Sequence, residues 1–156
     1  MDIVINASPL ILLSKIGRLQ LLNKLYRTVY IPFAVLQEIS DIGKPIVDLS
    51  QLTYQQLNVT NELAMLGLLG RLHNGEVEVM IGAIEHNIKT VILDDNVARN
   101  KARQLGLDVT GTLGILLEAY KKDLLDDLEK EIASLKRVGM FLSDDICKKI
   151  MSSIIK

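Results

Sequence analysis

A chain of 156 residues is long enough to bury a substantial core and short enough to be read as one domain spanning residues 1–156. Its 18 basic residues nearly cancel its 19 acidic ones, which excludes a globally basic nucleic-acid binder and leaves only a local basic stripe. With no Trp and 4% aromatic residues the core must be aliphatic, and the single Cys147 rules out an internal disulfide or a cysteine-based metal site.

The N-terminal stretch is apolar but broken by Asn6, Ser8, Pro9 and Ser14, and has no basic leader, so neither a signal peptide nor a membrane span is expected. Ile3-Val4-Ile5 predicts a strand buried on both faces and ending at Asn6. Ser8 is placed to cap a helix with Pro9 at its first position, continuing through Leu10–Leu13 and stopping at Gly17. Arg18–Leu25 predicts a second short helix with Leu19, Leu22 and Leu25 on one face. Val29–Ile31 reads as a strand closed by Pro32, followed by a helix over Phe33–Ile39 with Glu38 in its last turn. Loop signals follow at Gly43 and Pro45; Leu57–Thr60 is either an edge strand or extended chain, and Asn61–Leu69 is helical in pattern.

Asn74 is placed to cap a central helix, Gly75–His86, with Val77, Met80, Ile81 and Ile84 inward. Val91–Leu93 predicts a further buried strand, and Asp95 can cap a helix over Asn96–Leu105 that closes at Gly106. A strand at Leu107–Val109, a helix at Leu113–Tyr120 and helical patterns near 125–137 and 144–154, the last capped by Ser143, complete the chain. Such alternation argues for a parallel sheet covered by helices on both faces.

In a parallel sheet the strand C-terminal ends line up, and ligands bind in the crevice outside them. Asn6, Asp94, Asp95, Thr110 and Thr112 stand at or just beyond predicted strand ends, and Glu76 and Glu78 open the central helix. Each has an ordinary explanation. Asp95 suits an N-cap, Glu76 and Glu78 gain about 0.3–1 kcal/mol from a helix dipole, and Asn6 can satisfy local backbone. Glu38, in a last turn, runs against that dipole. Together, Glu38, Glu78, Asp94 or Asp95, Asn6 and a hydroxyl offer the oxygen shell that a hard divalent cation takes beside water and a substrate phosphate. Two such ions about 3.5–4 Å apart would serve phosphodiester cleavage.

The segments VINASPLILLSKIGRLQLL, VYIPFAVLQEI, LHNGEVEVMIGAIEH and VILDDNVARNKARQLGLDVTGTLGILLEAYKKDLL resemble, in order and spacing, the PIN-domain group, and more narrowly its small prokaryotic VapC-like branch. The resemblance covers essentially the whole chain. It implies a three-layer α/β/α sandwich around a mainly parallel sheet, and Mg²⁺- or Mn²⁺-dependent ribonuclease activity. It further implies a toxin paired with a small antitoxin protein, and a homodimer. The family's acidic cluster, carried over residue by residue, falls on Asn6, Glu38, Glu78 and Asp95, with Glu76 and Asp94 as neighbours able to exchange roles. The family's hydroxyl positions fall on Ser8 and Thr112. One departure stands out: the first acid of the pattern is Asn6 here. Asparagine offers a carbonyl oxygen but no charge and no base. The resemblance therefore implies either a slow or Mn²⁺-preferring nuclease, or a degenerate site that binds nucleic acid or a partner without cutting.

Arg99 and Arg103 share a helix face at i, i+4, and either meet substrate phosphates or form a solvated face. No aromatic residues interleave with them, so no stacking platform for bases is expected. His73 and His86 lack ligand spacing. Cys147 reads as a partly buried structural thiol, consistent with a cytoplasmic protein. The apolar residues of the C-terminal helices, about 125–154, either pack on the sheet or form an oligomer or partner surface. A doubly wound nucleotide binder ranks last, because no Gly-rich loop follows the first strand.

Overall fold

The computed structural model describes residues 1–41, 47–68, 70 and 72–154. Among these, β1 (Asp2–Ile5), β2 (Thr28–Pro32), β3 (Gln55–Leu57), β4 (Thr90–Ile92) and β5 (Asp108–Thr110) form a five-stranded sheet in the order β3-β2-β1-β4-β5, with every pairing parallel. Ile3, Val4 and Ile5 of β1 and Val91 and Ile92 of β4 are fully buried, because helices cover both faces of the central strands. The expected three-layer α/β/α sandwich is what the chain adopts.

The helices are α1 (Ala7–Lys15), α2 (Leu21–Leu25), α3 (Phe33–Ser40), α4 (Glu62–Leu68), α5 (Asn74–Glu85), α6 (Asn96–Gln104), α7 (Thr112–Lys121), α8 (Leu128–Arg137) and α9 (Asp144–Ile154). α5 packs on β1, β2 and β4 with α3 and α4 beside it, while α7 packs with α1, α2 and α8. Helix α5 approaches β3 so closely that a Cβ at Gly82 would collide with Leu57 Cδ2. Eight α5 residues from Gly75 to Ala83 are buried, so the helix is enclosed on most of its circumference rather than on one stripe. The exception is Ile84, expected inward but 45% exposed. At the far side, Glu131 of α8 is buried and paired with Arg18 at the α1–α2 turn.

Several boundaries differ from the patterning. The edge strand is Gln55–Leu57 rather than Leu57–Thr60, because Pro32 at the end of β2 pairs with Leu57 and pairing stops there. The second helix begins at Leu21; Leu19 is buried in the turn before it. Helix α1 begins at Ala7 with Asn6 in the N-cap position, which places Ser8 and Pro9 inside the first turn rather than at the cap. Asn74 likewise is the first residue of α5, and His73 occupies its N-cap. Asp95 and Ser143 do cap α6 and α9, accepting from Ala98 N and Ile146 N at 3.0 and 3.2 Å. Gly43, Pro45, Leu69 and Ile155 lie outside the described residues.

Candidate functional site

Strand order reverses between β1 and β4: the chain leaves β1 toward β2 on one side and leaves β4 toward β5 on the other. At such a switch point the connections part and open a crevice. Ile5 pairs with Ile92, and the ladder runs on as Asn6 N–H donates to Ile92 O at 3.1 Å and Leu93 N–H to Thr110 O at 3.0 Å. Asn6 and the Leu93–Asp95 segment thus leave the sheet side by side. A cleft of about 580 Å³ opens there, and Asn6, Ser8, Glu38, His73, Glu76, Asp94 and Asp95 all line it.

Asn6 is 7% exposed, and its Oδ1 is the one buried side-chain oxygen or nitrogen among the described residues with no hydrogen-bond partner. It faces the start of α5. A Cβ at Gly75 would stand 3.3 Å from Asn6 Oδ1 and 3.2 Å from Glu38 Oε2, so both oxygens converge on a backbone that carries no side chain. Any larger residue at position 75 would push into that space.

Helix α5 divides its two glutamates. Glu76, 6% exposed, accepts from His73 N–H at 3.1 Å and satisfies an amide at the helix start. Burial pushes its carboxyl above the ordinary range; the His73 N–H opposes this, and the charges of Asp95 and Glu38 add to it. Glu78 is not brought to the cleft. Its Oε1 accepts from Ala34 N–H at 2.9 Å, closing the first turn of α3, whose N-cap Pro32 has no side-chain acceptor to do so. Of the two glutamates expected at the opening of the central helix, Glu76 is thus the one that lines the cleft and Glu78 the one tied to α3.

On the other wall, Asp95 reaches the cleft while its Oδ2 caps α6. Asp94 accepts from Thr112 N–H at 2.8 Å and from Thr112 Oγ1 at 2.6 Å, tying the start of α7 to the end of β4. Thr112 is fully buried, and its hydroxyl is engaged by Asp94 rather than presented to the cleft. Arg99 donates to Leu93 O at 2.9 Å and lines a second groove, which shares Asp94 with the cleft. Arg103 is exposed on the same helix, bonded weakly to Asn100. Ser8 lines the cleft and is exposed.

A family model described as a PIN domain matches residues 2–156. The chain is a PIN-domain protein. Its structure is similar to that of a PilT N-terminus domain protein from the hyperthermophilic archaeon Sulfolobus solfataricus P2, with a TM-score of 0.55 and 20% sequence identity, covering 92% of this chain and 98% of that one. At that identity the likeness concerns the fold. No curated protein matches the chain.

PIN domains usually employ a divalent metal ion, and the residues of this PIN domain suit one. The two polar side chains converging beside Gly75, Asn6 and Glu38, present oxygen, the donor that Mg²⁺ and Mn²⁺ prefer, while Val35 packs against the same backbone. An orphaned buried carbonyl, and a carboxyl raised chiefly by burial and further by the charges of Asp95 and Glu38, both mark a place that a cation would stabilise. Among the described residues, no three or more His, Cys, Asp and Glu side chains are gathered closely enough to hold an ion unaided. The PIN domain also brings two groups to the cleft that sequence reasoning did not assign there. His73 follows from the helix starting one residue early; the Val138–Phe141 segment comes from far along the chain and carries no local signal.

Proposed function

We propose that this PIN domain is a ribonuclease that hydrolyses RNA phosphodiesters with Mg²⁺ or Mn²⁺ bound in the cleft. The observation that carries the reading is the unpartnered, buried Asn6 Oδ1 facing Glu38 across Gly75, with Glu76 and Asp95 near enough for their charges to be felt. One or two of Glu38, Glu76 and Asp95 would hold the ion directly, the rest adding charge around it through water, and Asn6 would offer a neutral oxygen. When bound, the ion supplies the charge that acidifies water and offsets the leaving oxygen. Asp94 keeps Thr112 and the start of α7 in place beside it, and Arg99 lies within reach of a flanking phosphate. The test is RNA cleavage with added Mn²⁺ by the wild type and by Asp95→Asn. Asparagine also caps helices well, so the fold should survive while cleavage disappears; cleavage that persists unaltered would contradict the reading.

The biological setting that fits is a toxin acting on cytoplasmic RNA, neutralised by a small antitoxin protein and working as a homodimer. The half-buried apolar residues of α9, none of them fully covered, support a partner surface there. No helix among the described residues is long and apolar enough to cross a membrane. A second reading is favoured by one residue. Asn6 removes a charge from the acidic set, which suits a PIN domain that binds nucleic acid or a partner and cuts slowly or not at all.

A further inference from the structure

Phe141 is 90% exposed, although the chain has only two phenylalanines with which to build a core. Its position is fixed from both sides. α8 ends in a Schellman motif: Gly139, at φ 106°, donates to Lys136 O at 3.2 Å, and Met140 N–H reaches back to Leu135 O at 3.0 Å. Three residues later Ser143 caps α9. Between these anchors Met140 and Leu142 are half-buried against the core, which turns the side chain between them outward. Phe141 is thus a rigidly based aromatic ring held in solvent, a costly arrangement for a side chain that would gain from burial.

Its surroundings indicate what it meets. Phe141 and Met140 line both the acidic cleft and the adjoining groove, so the ring stands on the ridge where the two meet. The groove runs along α7 past Gly111, and Arg99 is at its wall. Arg99 makes no salt bridge among the described residues; its guanidinium donates to a backbone carbonyl and keeps further donors free for an anion. An aromatic face and a guanidinium line one groove, with Asp94 beside the guanidinium but not in a salt bridge with it, on a path continuous with the acidic cleft; a single nucleic-acid strand offers both a base face and phosphates to such a path.

We propose that Phe141 stacks on an unpaired base of single-stranded RNA adjacent to the cleft, while Arg99 takes the neighbouring phosphate. The inference rests on the nucleic-acid reading above and adds to it a positioning residue: Phe141, whose exposed ring takes a base that is free to stack. A duplex keeps its bases stacked on one another and presents no face to the ring.

Because the chain has no tryptophan, Phe141→Trp installs a sole indole as reporter. Short single-stranded RNA, titrated in EDTA so that binding is measured apart from cleavage, should quench its fluorescence; the same sequence as a duplex should not. In parallel, Phe141→Ala should weaken single-strand binding about fivefold or more by anisotropy, and should lose the preference over duplex. Equal affinity of Phe141→Ala and wild type for single strands overturns the stacking role and leaves the nuclease reading intact. RNA that binds and quenches but is never cut with Mn²⁺ supports stacking while contradicting the nuclease. If neither protein binds RNA at low salt, both fail. A wild-type dimer that Phe141→Ala converts to monomer, with RNA affinity unchanged, reassigns the ring to a protein interface and also overturns the proposal.

Discussion

Two positions of α5 separate Glu76 from Glu78, and about 200° of helical rotation sends one carboxylate to the cleft and the other to α3. Sequence reasoning could see that acids open this helix but not where it begins. How α5 is rotated against the sheet decides which glutamate faces the cleft, and Glu76 is also held there by the His73 N–H at the N-cap. Asn6 shows the complementary case. Its place at a strand end was legible from Ile3–Ile5 alone, yet its lack of any hydrogen-bond partner is visible only in three dimensions. That orphaned oxygen gives a prediction at the same scale. Asn6→Asp adds a charge among Glu38, Glu76 and Asp95, so the metal-free protein should melt lower than wild type. Mn²⁺ should bind it at least about tenfold more tightly by calorimetry. An unchanged affinity would make position 6 purely structural.

At the scale of elements, the site is a meeting of helix starts with strand ends. α3 is entered directly from Pro32, so Glu38 sits a turn and a half into a helix aimed over the sheet edge. α6 is capped by Asp95, and α7 is secured by Asp94 through Thr112. These placements follow from short connections in an alternating fold, which is why the acids' elements were legible from hydrophobic pattern alone. Phe141 was not, because an apolar residue among Met140 and Leu142 reads as core until the Schellman turn shows which way it points. The close approach of α5 to Asn6 and Glu38 was equally hidden. Gly75→Ala should change stability by no more than ~1 kcal/mol, since a helical alanine offsets the crowding. Its methyl would nevertheless stand 3.2 Å from Glu38 Oε2 and 3.3 Å from Asn6 Oδ1. Calorimetry should therefore show weakened Mn²⁺ binding with a nearly unchanged melting temperature; unchanged binding would place the ion elsewhere.

At the scale of the whole molecule, burying the ionised Glu76 carboxyl works against folding. Glu76 has a carboxyl raised above its unfolded value, chiefly by burial. Its favourable contribution is therefore full below the ordinary glutamate range and lost as pH rises through the raised value. Glu76→Gln lacks that loss. In EDTA, the melting temperature of wild type relative to Glu76→Gln should fall between acidic and neutral pH, and added Mn²⁺ at neutral pH should restore wild type alone. A parallel pH dependence of the two proteins would remove Glu76 from the charged centre. The fold that creates this arrangement was readable almost throughout, since strand order and layers follow from alternation and from aliphatic strands buried on both faces. The identity of the converging side chains was less so, because it depends on how α3 and α5 are rotated as they pack on the sheet, which hydrophobic pattern does not fix to one residue.

The two glutamates of α5 offer the most direct measurement of that centre. Glu76→Gln and Glu78→Gln are the same substitution two residues apart, and only the first alters the cleft. Cleavage of single-stranded RNA with Mn²⁺ should be lost in Glu76→Gln and retained in Glu78→Gln. Retention in the first with loss in the second, or no cleavage by the wild type at any Mn²⁺ concentration, would contradict the account.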